Sequence, residues 1–428
     1  MGAAWIFIAF VVLMLARVPV AIALFASSAG YAAWSGLVPI RTLVSMGLSG
    51  TGGFLLVAIP TFILMAEIMN RSTITGRIVE FALSLVGHLR GSLAQVCIIS
   101  SLIFAGMSGS AIADIAGLGR IQVRAMREAG FAVPFAAAIT AVASTLAPIL
   151  PPSIIMVVYA SAAEVSVGRI FLSGVTPAFV MAAGFMSTVY LISLRHPEWK
   201  RFPRISWGAR GQSFLKALPA LLTPLILLGG FLSGYWTPTE AGAVASLWAL
   251  IVARFVYRDI AWGDLVDIFA HTAISTGNIL LIFASSHIVS QLVALEDLPG
   301  TLTAQIAALT RNPLVVLALI NIAMFIGGML LEPTPLLLIG TPFLLQLCHT
   351  YGFDPVHIGL VCVLNLMLGT ITPPFAIALF AISDVVRVPF HVLVRATLPF
   401  YLPFLALILL VTYFPSIAMW LPRLAFGQ

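Results

Sequence analysis

Ala147-Pro148-Ile149-Leu150-Pro151-Pro152 in the first half of the chain and Gly369-Thr370-Ile371-Thr372-Pro373-Pro374 in the second are interruptions of one kind in otherwise apolar sequence. Each Pro-Pro pair removes two backbone donors and leaves carbonyls of the preceding turn without helical partners. In hydrocarbon such carbonyls are costly unless protein, water or a cation satisfies them. Paired breaks in corresponding positions of two hydrophobic halves point to a membrane transporter with its binding site between the repeats, and a sodium ion is a natural occupant of the exposed oxygens.

The duplication extends outward from the breaks. A shift of 222 residues superposes Pro151-Pro152 on Pro373-Pro374, Ile149 on Ile371, Ile155 on Ile377 and Ser161 on Ser383. Phe104 and Gly106 match Phe325 and Gly327 at 221, and Pro19 matches Pro238 at 219. Three anchors at nearly constant offset define two homologous halves, residues 1–190 and 218–428, joined by a connection over 191–217. Each half runs from a helix with an early proline through further helices to a Gly-rich break, an amphiphilic return and the Pro-Pro break. An odd number of complete crossings per half makes the repeats inverted.

Composition agrees with this class. The 428 residues are 61% hydrophobic and 8% charged, with mean hydropathy +1.11, so the chain lacks the polar surface of a soluble protein of its size. Apolar stretches recur throughout, with crossings or half-crossings expected to begin near residues 3, 20, 51, 93, 131, 171, 217, 240, 272, 312, 335, 356 and 397. The expected fold is all-α and polytopic; a β-barrel would show short alternating segments instead. No basic region and cleavage site mark a removed signal peptide, so the segment opening at Ala3 is expected to remain as the first membrane element.

The formal net charge of +6 is spread between apolar segments, which is topological information and not a nucleic-acid patch. Its densest part, Arg195, His196, Lys200, Arg201, Arg204, Arg210 and Lys216, places the 191–217 connection in the cytoplasm. Cys97, Cys348 and Cys362 have no metal-ligand spacing and read as small buried side chains. The seven histidines show no HExxH spacing and no serine sits in a GxSxG elbow, so hydrolytic and redox enzymes fit poorly. A channel fits poorly too, because separated breaks suit alternating access around a closed site.

Four segments together give the chain a family resemblance: Gly106-Met107-Ser108-Gly109-Ser110-Ala111-Ile112-Ala113-Asp114, Ser144-Thr145-Leu146-Ala147-Pro148-Ile149-Leu150-Pro151-Pro152-Ser153, Thr237-Pro238-Thr239-Glu240-Ala241-Gly242, and Gly369-Thr370-Ile371-Thr372-Pro373-Pro374. Over essentially its whole length the chain resembles the large membrane subunit of tripartite ATP-independent periplasmic (TRAP) transporters of the C4-dicarboxylate permease type. The resemblance implies sodium-coupled import of a small organic acid across a bacterial or archaeal inner membrane. It also implies a small membrane subunit and a periplasmic substrate-binding protein as partners, and an elevator movement of hairpins and broken helices against a scaffold. The chain reads as the large subunit without a fused small one.

Two pseudo-symmetric sodium sites are expected, with no other cofactor. Carbonyls of Ala147, Pro148 and Leu150 and the hydroxyls of Ser144 and Thr145 would form one, closed by the tip containing Gly106, Ser108 and Gly109. Gly369, Thr370 and Thr372 with Gly327 and Gly328 would form the other; hard cations take such oxygen ligands. Asp114 and Glu332 either cap the returning segments or tune the ion sites, whereas Glu240 reads as an ordinary residue of a helix start. For the anion, Ser108, Ser110, Ser153 and Asn365 are the expected hydrogen-bonding side chains. Asn365 suits an interhelical bond as well, and Arg387 and Arg17 suit snorkelling to the interface as well as carboxylate contact. A proton-coupled carrier, or one that works without partners, remains the alternative.

Overall fold

The computed structural model describes residue 2 and residues 4–427, and among these every regular element is helical. Ala3 lies outside the described residues; the first helix begins at Ala4. The first half comprises α1 (Ala4–Leu15), α2 (Val20–Ser35), α3 (Ile40–Thr51), α4 (Ala58–Arg71), α5 (Ile74–Val86), α6 (Ser92–Ser108), α7 (Ala111–Asp114), α8 (Arg120–Glu128), α9 (Val133–Ser144), α10 (Ile154–Ala163) and α11 (Val167–Ser193). The second comprises α12 (Trp207–Leu232), α13 (Pro238–Ile251), α14 (Trp262–Leu295), α15 (Leu298–Leu309), α16 (Pro313–Leu330), α17 (Pro333–Tyr351), α18 (Pro355–Thr370), α19 (Ile377–Val386), α20 (Phe390–Tyr413) and α21 (Ser416–Phe426).

Among the described residues, seven helices are long and apolar enough to cross a bilayer: those over 54–71 and 238–256, and α11, α12, α14, α16 and α20. The shorter apolar helices are instructive. α9 and α10 have 12 and 10 residues, α18 and α19 have 16 and 10, and each pair flanks a Pro-Pro break. A crossing needs roughly 20 residues, so neither α9 nor α10 spans alone and each pair forms one interrupted crossing. The sequence supplies capping side chains at the starts of α10 and α18, whereas α9 and α19 start without one. Ser153 caps α10 by accepting from Met156 N at 3.2 Å, and Asp354 caps α18 by accepting from Val356 N at 2.8 Å. At α13 the Thr237 and Glu240 side chains form a reciprocal capping box, the ordinary role read for Glu240.

In both halves a hairpin is followed by a broken helix and then a long intact one: α6–α8, α9–α10 and α11, then α16–α17, α18–α19 and α20. The 27-residue α11 is about 40 Å long and serves as a ruler. Beyond its C-terminal end, Ser92 at the start of α6 donates to Lys200 O at 2.9 Å, and Phe131, just after α8, stacks on Trp199 with ring centroids 4.3 Å apart. At its N-terminal end, Arg169 pairs with Asp354 at 3.1 Å, beside the base of the second hairpin, whose two legs are joined by Tyr351 Oη donating to Thr310 O at 3.0 Å. The two hairpins therefore enter from opposite ends of the molecule, as inverted repeats do.

The irregular connection spans only 194–206, narrower than the expected 191–217. Ser206 caps α12 through Ala209 N, so Arg210 and Lys216 ride on a helix. The main apolar core joins elements of both halves, and a second core gathers α1–α3 around the distal part of α14. Cys97, Cys348 and Cys362 are buried and unpaired.

Candidate functional site

Each hairpin tip seats on the break of its own half. α6 continues through Gly106 to Ser108, and the turn is made by Gly109, at φ +63°. A Cβ on Gly109 would lie 2.3 Å from Pro152 O, so only glycine fits between tip and break. In the second half α16 continues through Gly327 and Gly328, and the turn falls at Leu331–Glu332. There the close approach is helix to helix: a Cβ on Gly369 would lie 2.4 Å from the Gly328 carbonyl carbon, and Phe375 N donates to Met329 O at 3.2 Å. Gly106, Gly327 and Gly328 are thus packing positions inside helices and not the tips themselves. A Cβ on Gly106 would approach Pro224 of α12 to 3.3 Å, and one on Gly327 would approach Leu336 to 2.6 Å.

At the first break, Ser144 and Thr145 donate to the carbonyls of Ala141 and Val142 at 2.8 and 2.6 Å. At the second, Thr370 and Thr372 donate to those of Met367 and Leu368, both at 2.7 Å. All four side chains are buried. With its hydrogen committed to the backbone, each hydroxyl keeps lone pairs for a cation or a donor. The residues four ahead of Ala147 and Thr370 are Pro151 and Pro374, which have no N–H to give, and among the described residues no backbone donor reaches either carbonyl. Pro148 O is engaged instead by Ser153 Oγ at 2.6 Å, while Leu150 N closes a turn onto Leu146 O at 3.0 Å. Both Pro-Pro bonds are cis. Among the described residues no cluster of three or more His, Cys, Asp or Glu is present, and the oxygens that the breaks offer are backbone carbonyls and hydroxyls, the ligand type a hard cation takes.

The tips and breaks enclose a cavity of about 110 Å³. Its lining falls into pairs 222 residues apart: Ser110 and Glu332, Ala111 and Pro333, Ile112 and Thr334, Pro148 and Thr370, Ile155 and Ile377. Gly109, Ile154, Met367, Ala378 and Ile279 of α14 complete it. Ser110 both lines the cavity and caps α7, whereas its counterpart Glu332 occupies the cap position of α17 without a side-chain capping bond. The cavity thus has one carboxylate, at the second tip.

Asp114 lies one helical turn behind the first tip and is 1% exposed. Ser108 donates its hydroxyl to Asp114 Oδ1, and Oδ2 has no hydrogen-bond partner. Ser108 is therefore turned to Asp114 and away from the cavity lining. Asn365 is placed elsewhere: its amide donates to Asn321 Oδ1 at 2.6 Å and Val361 O at 2.8 Å, and Asn321 continues to Thr412 at 3.1 Å, tying α16, α18 and α20 together. Arg387 ends α19 as an exposed residue at φ +57°, also away from the cavity. Ile155 and Ile377, read from sequence only as repeat matches, line the cavity, as do Ile112, Thr334 and Ile279, to which sequence assigned no role. Extending the 222-residue shift from breaks to tips pairs Ser110 with Glu332 and Ile112 with Thr334; Ile279 carried no signal.

The Tripartite ATP-independent periplasmic transporter, DctM component, is the family whose model matches this chain, over residues 7–417. The chain belongs to this family. As a DctM component it is a TRAP large permease subunit, a multi-pass membrane transport protein and not an enzyme. It is 37% identical to the sialic acid TRAP transporter large permease protein SiaM of Vibrio cholerae over 97% of both chains. It is 34% identical to the C4-dicarboxylate TRAP transporter large permease protein DctM of Pseudomonas aeruginosa over 90% of both. Among solved structures, the YdaH transporter of Alcanivorax borkumensis shares the fold of this DctM component, with TM-score 0.60 and 15% identity over 90% of this chain and 88% of that one.

Proposed function

We propose that this subunit imports a small organic anion across the cytoplasmic membrane, coupled to two sodium ions, in a tripartite system with a small membrane subunit and a periplasmic substrate-binding protein. The observation that carries the reading is the cavity lined at 222-residue intervals by both tips and both breaks. Glu332 places a carboxyl group in that cavity, and its ionised form would repel an anionic solute unless a cation sat nearby. The unpartnered carbonyls of Ala147 and Thr370 and the oriented hydroxyls of Thr145 and Thr370 supply oxygen ligands for such cations. The opposed hairpins suit an elevator, in which the tips, breaks, α11 and α20 move as one body against a frame including α2, α3 and α13. The relatives named for sialic acid and C4-dicarboxylates make sugar acids and dicarboxylates the first solutes to test.

The test is uptake into proteoliposomes containing this subunit with its two partners. Accumulation of one such acid is expected under an inward sodium gradient, to vanish when sodium is replaced by potassium, and to be lost when either partner is omitted. Uptake that follows a pH gradient without sodium would instead favour proton coupling. The buried Asp114, with one oxygen unpartnered, is the group that keeps that second reading in view.

A further inference from the structure

Away from the central cavity, three arginines recur at i, i+4 and i+7 along α8. Arg120, Arg124 and Arg127 share one helical face and form the rim of a second cavity of about 220 Å³. Its floor is apolar, made by Val123 of α8, Val133 of α9 and Val385 and Val386 of α19. Arg124 is partly neutralised by Glu128 at 2.9 Å, while among the described residues no carboxylate pairs with Arg120 or Arg127. The Phe131–Trp199 stack fixes the height of this cavity, because it joins the start of α9 to the basic 194–206 connection. The cavity therefore opens at the end of the molecule that carries the excess of basic loop residues, which is the cytoplasmic end.

From this combination we infer a binding site for the headgroup of an anionic phospholipid of the cytoplasmic leaflet. Guanidinium groups match phosphate in charge and in paired hydrogen-bond geometry. A free anion would leave the valine floor without purpose, whereas a phospholipid brings apolar chain adjacent to its phosphate. Ile121, the neighbour of Arg120, is 48% exposed, which puts hydrocarbon-compatible surface at the same level. Basic pockets between membrane helices on the cytoplasmic side are suited to such headgroups. Because α8 belongs to the first half and α19 to the second, the lipid would bridge the two repeats.

Delipidated full-length protein titrated with phosphatidylglycerol in mixed micelles, read by its thermal unfolding midpoint, tests the site. A saturable rise is expected with phosphatidylglycerol and none with phosphatidylcholine; an equal rise with phosphatidylcholine would overturn recognition of charge. R120Q/R127Q should bind about 30-fold more weakly, and R120Q alone about fivefold, as expected for loss of two or one membrane-apposed basic residues. R201Q/R204Q, in the connection, should bind as the parent does. An unchanged titration for R120Q/R127Q would overturn the site, and R120Q decides the matter alone if the double variant does not fold. Inorganic phosphate should not reproduce the rise; if it does so to the same extent, the site takes a soluble anion and the lipid assignment fails. None of these readings depends on what solute is transported.

Discussion

A threonine hydroxyl that spends its hydrogen on the preceding helical turn is an acceptor waiting for a partner. Thr145 and Thr370 are both in that state, buried at equivalent ends of the two broken helices although not equivalent in sequence. Thr145→Val and Thr370→Val keep shape and remove the oxygen. Each is expected to raise the sodium concentration for half-maximal uptake several-fold, while the solute dependence at saturating sodium changes less. Sodium titrations that superpose on the parent for both variants would remove these hydroxyls from the ion sites. Residue identity alone was a partial guide. Threonines and prolines at the breaks were legible because backbone chemistry dictates the hydrogen bonding around them, whereas Asn365 was not: an amide near a break suits a solute and a neighbouring helix equally, and Asn321 settles its placement.

Glycines illustrate the same limit for whole elements. Gly106, Gly327 and Gly328 read as turn formers, yet all three lie inside helices and serve close packing, because the missing Cβ permits both uses and sequence does not separate them. What was legible was the order of elements, since broken apolar runs too short to cross can only be halves of crossings or hairpin legs. Seating of tip on break depends on long-range packing that the order of elements does not dictate. G109A and G369A test that seating: each puts a methyl group within 2.4 Å of backbone atoms, and Gly109 has a left-handed φ besides. A cost of about 1–3 kcal/mol is expected from overpacking alone, so both should lower the unfolding midpoint. G36A is the comparison for a left-handed glycine with open surroundings. A midpoint for G109A as high as that of G36A would mean that the tip moves aside without loss.

For the molecule as a whole, the inverted order brings both tips to the lining of one cavity of about 110 Å³. Ile112 and Thr334, counterparts under the 222-residue shift, one on each tip, both line that space. Joining cysteines introduced at both positions with a short bifunctional maleimide should abolish uptake, while each single variant treated alike retains most of it. Uptake that survives complete cross-linking would show that the tips need not separate for the solute to pass. The overall architecture was legible because duplication and hydropathy act over the whole chain. The second apolar core around α14 was not, because α1–α3 and α14 meet through long-range packing that no local pattern announces.

The bases of the hairpins lie at opposite ends of α11, and this has a logic resembling that of a canal lock. In the proposed cycle each tip, riding on the moving body, would be a gate hinged on its own bank: lifting the tip between α6 and α7 would open the chamber towards the face where the basic connection lies, and lifting the tip between α16 and α17 would open it towards the other. With the sodium coupling proposed above, raising both at once would let the gradient run down with no cargo. Because Glu332 stands on one gate only, a cation arriving as proposed would change the electrostatics of the two gates unequally, and a chain nearly symmetric in build would then open to its two faces with unequal ease.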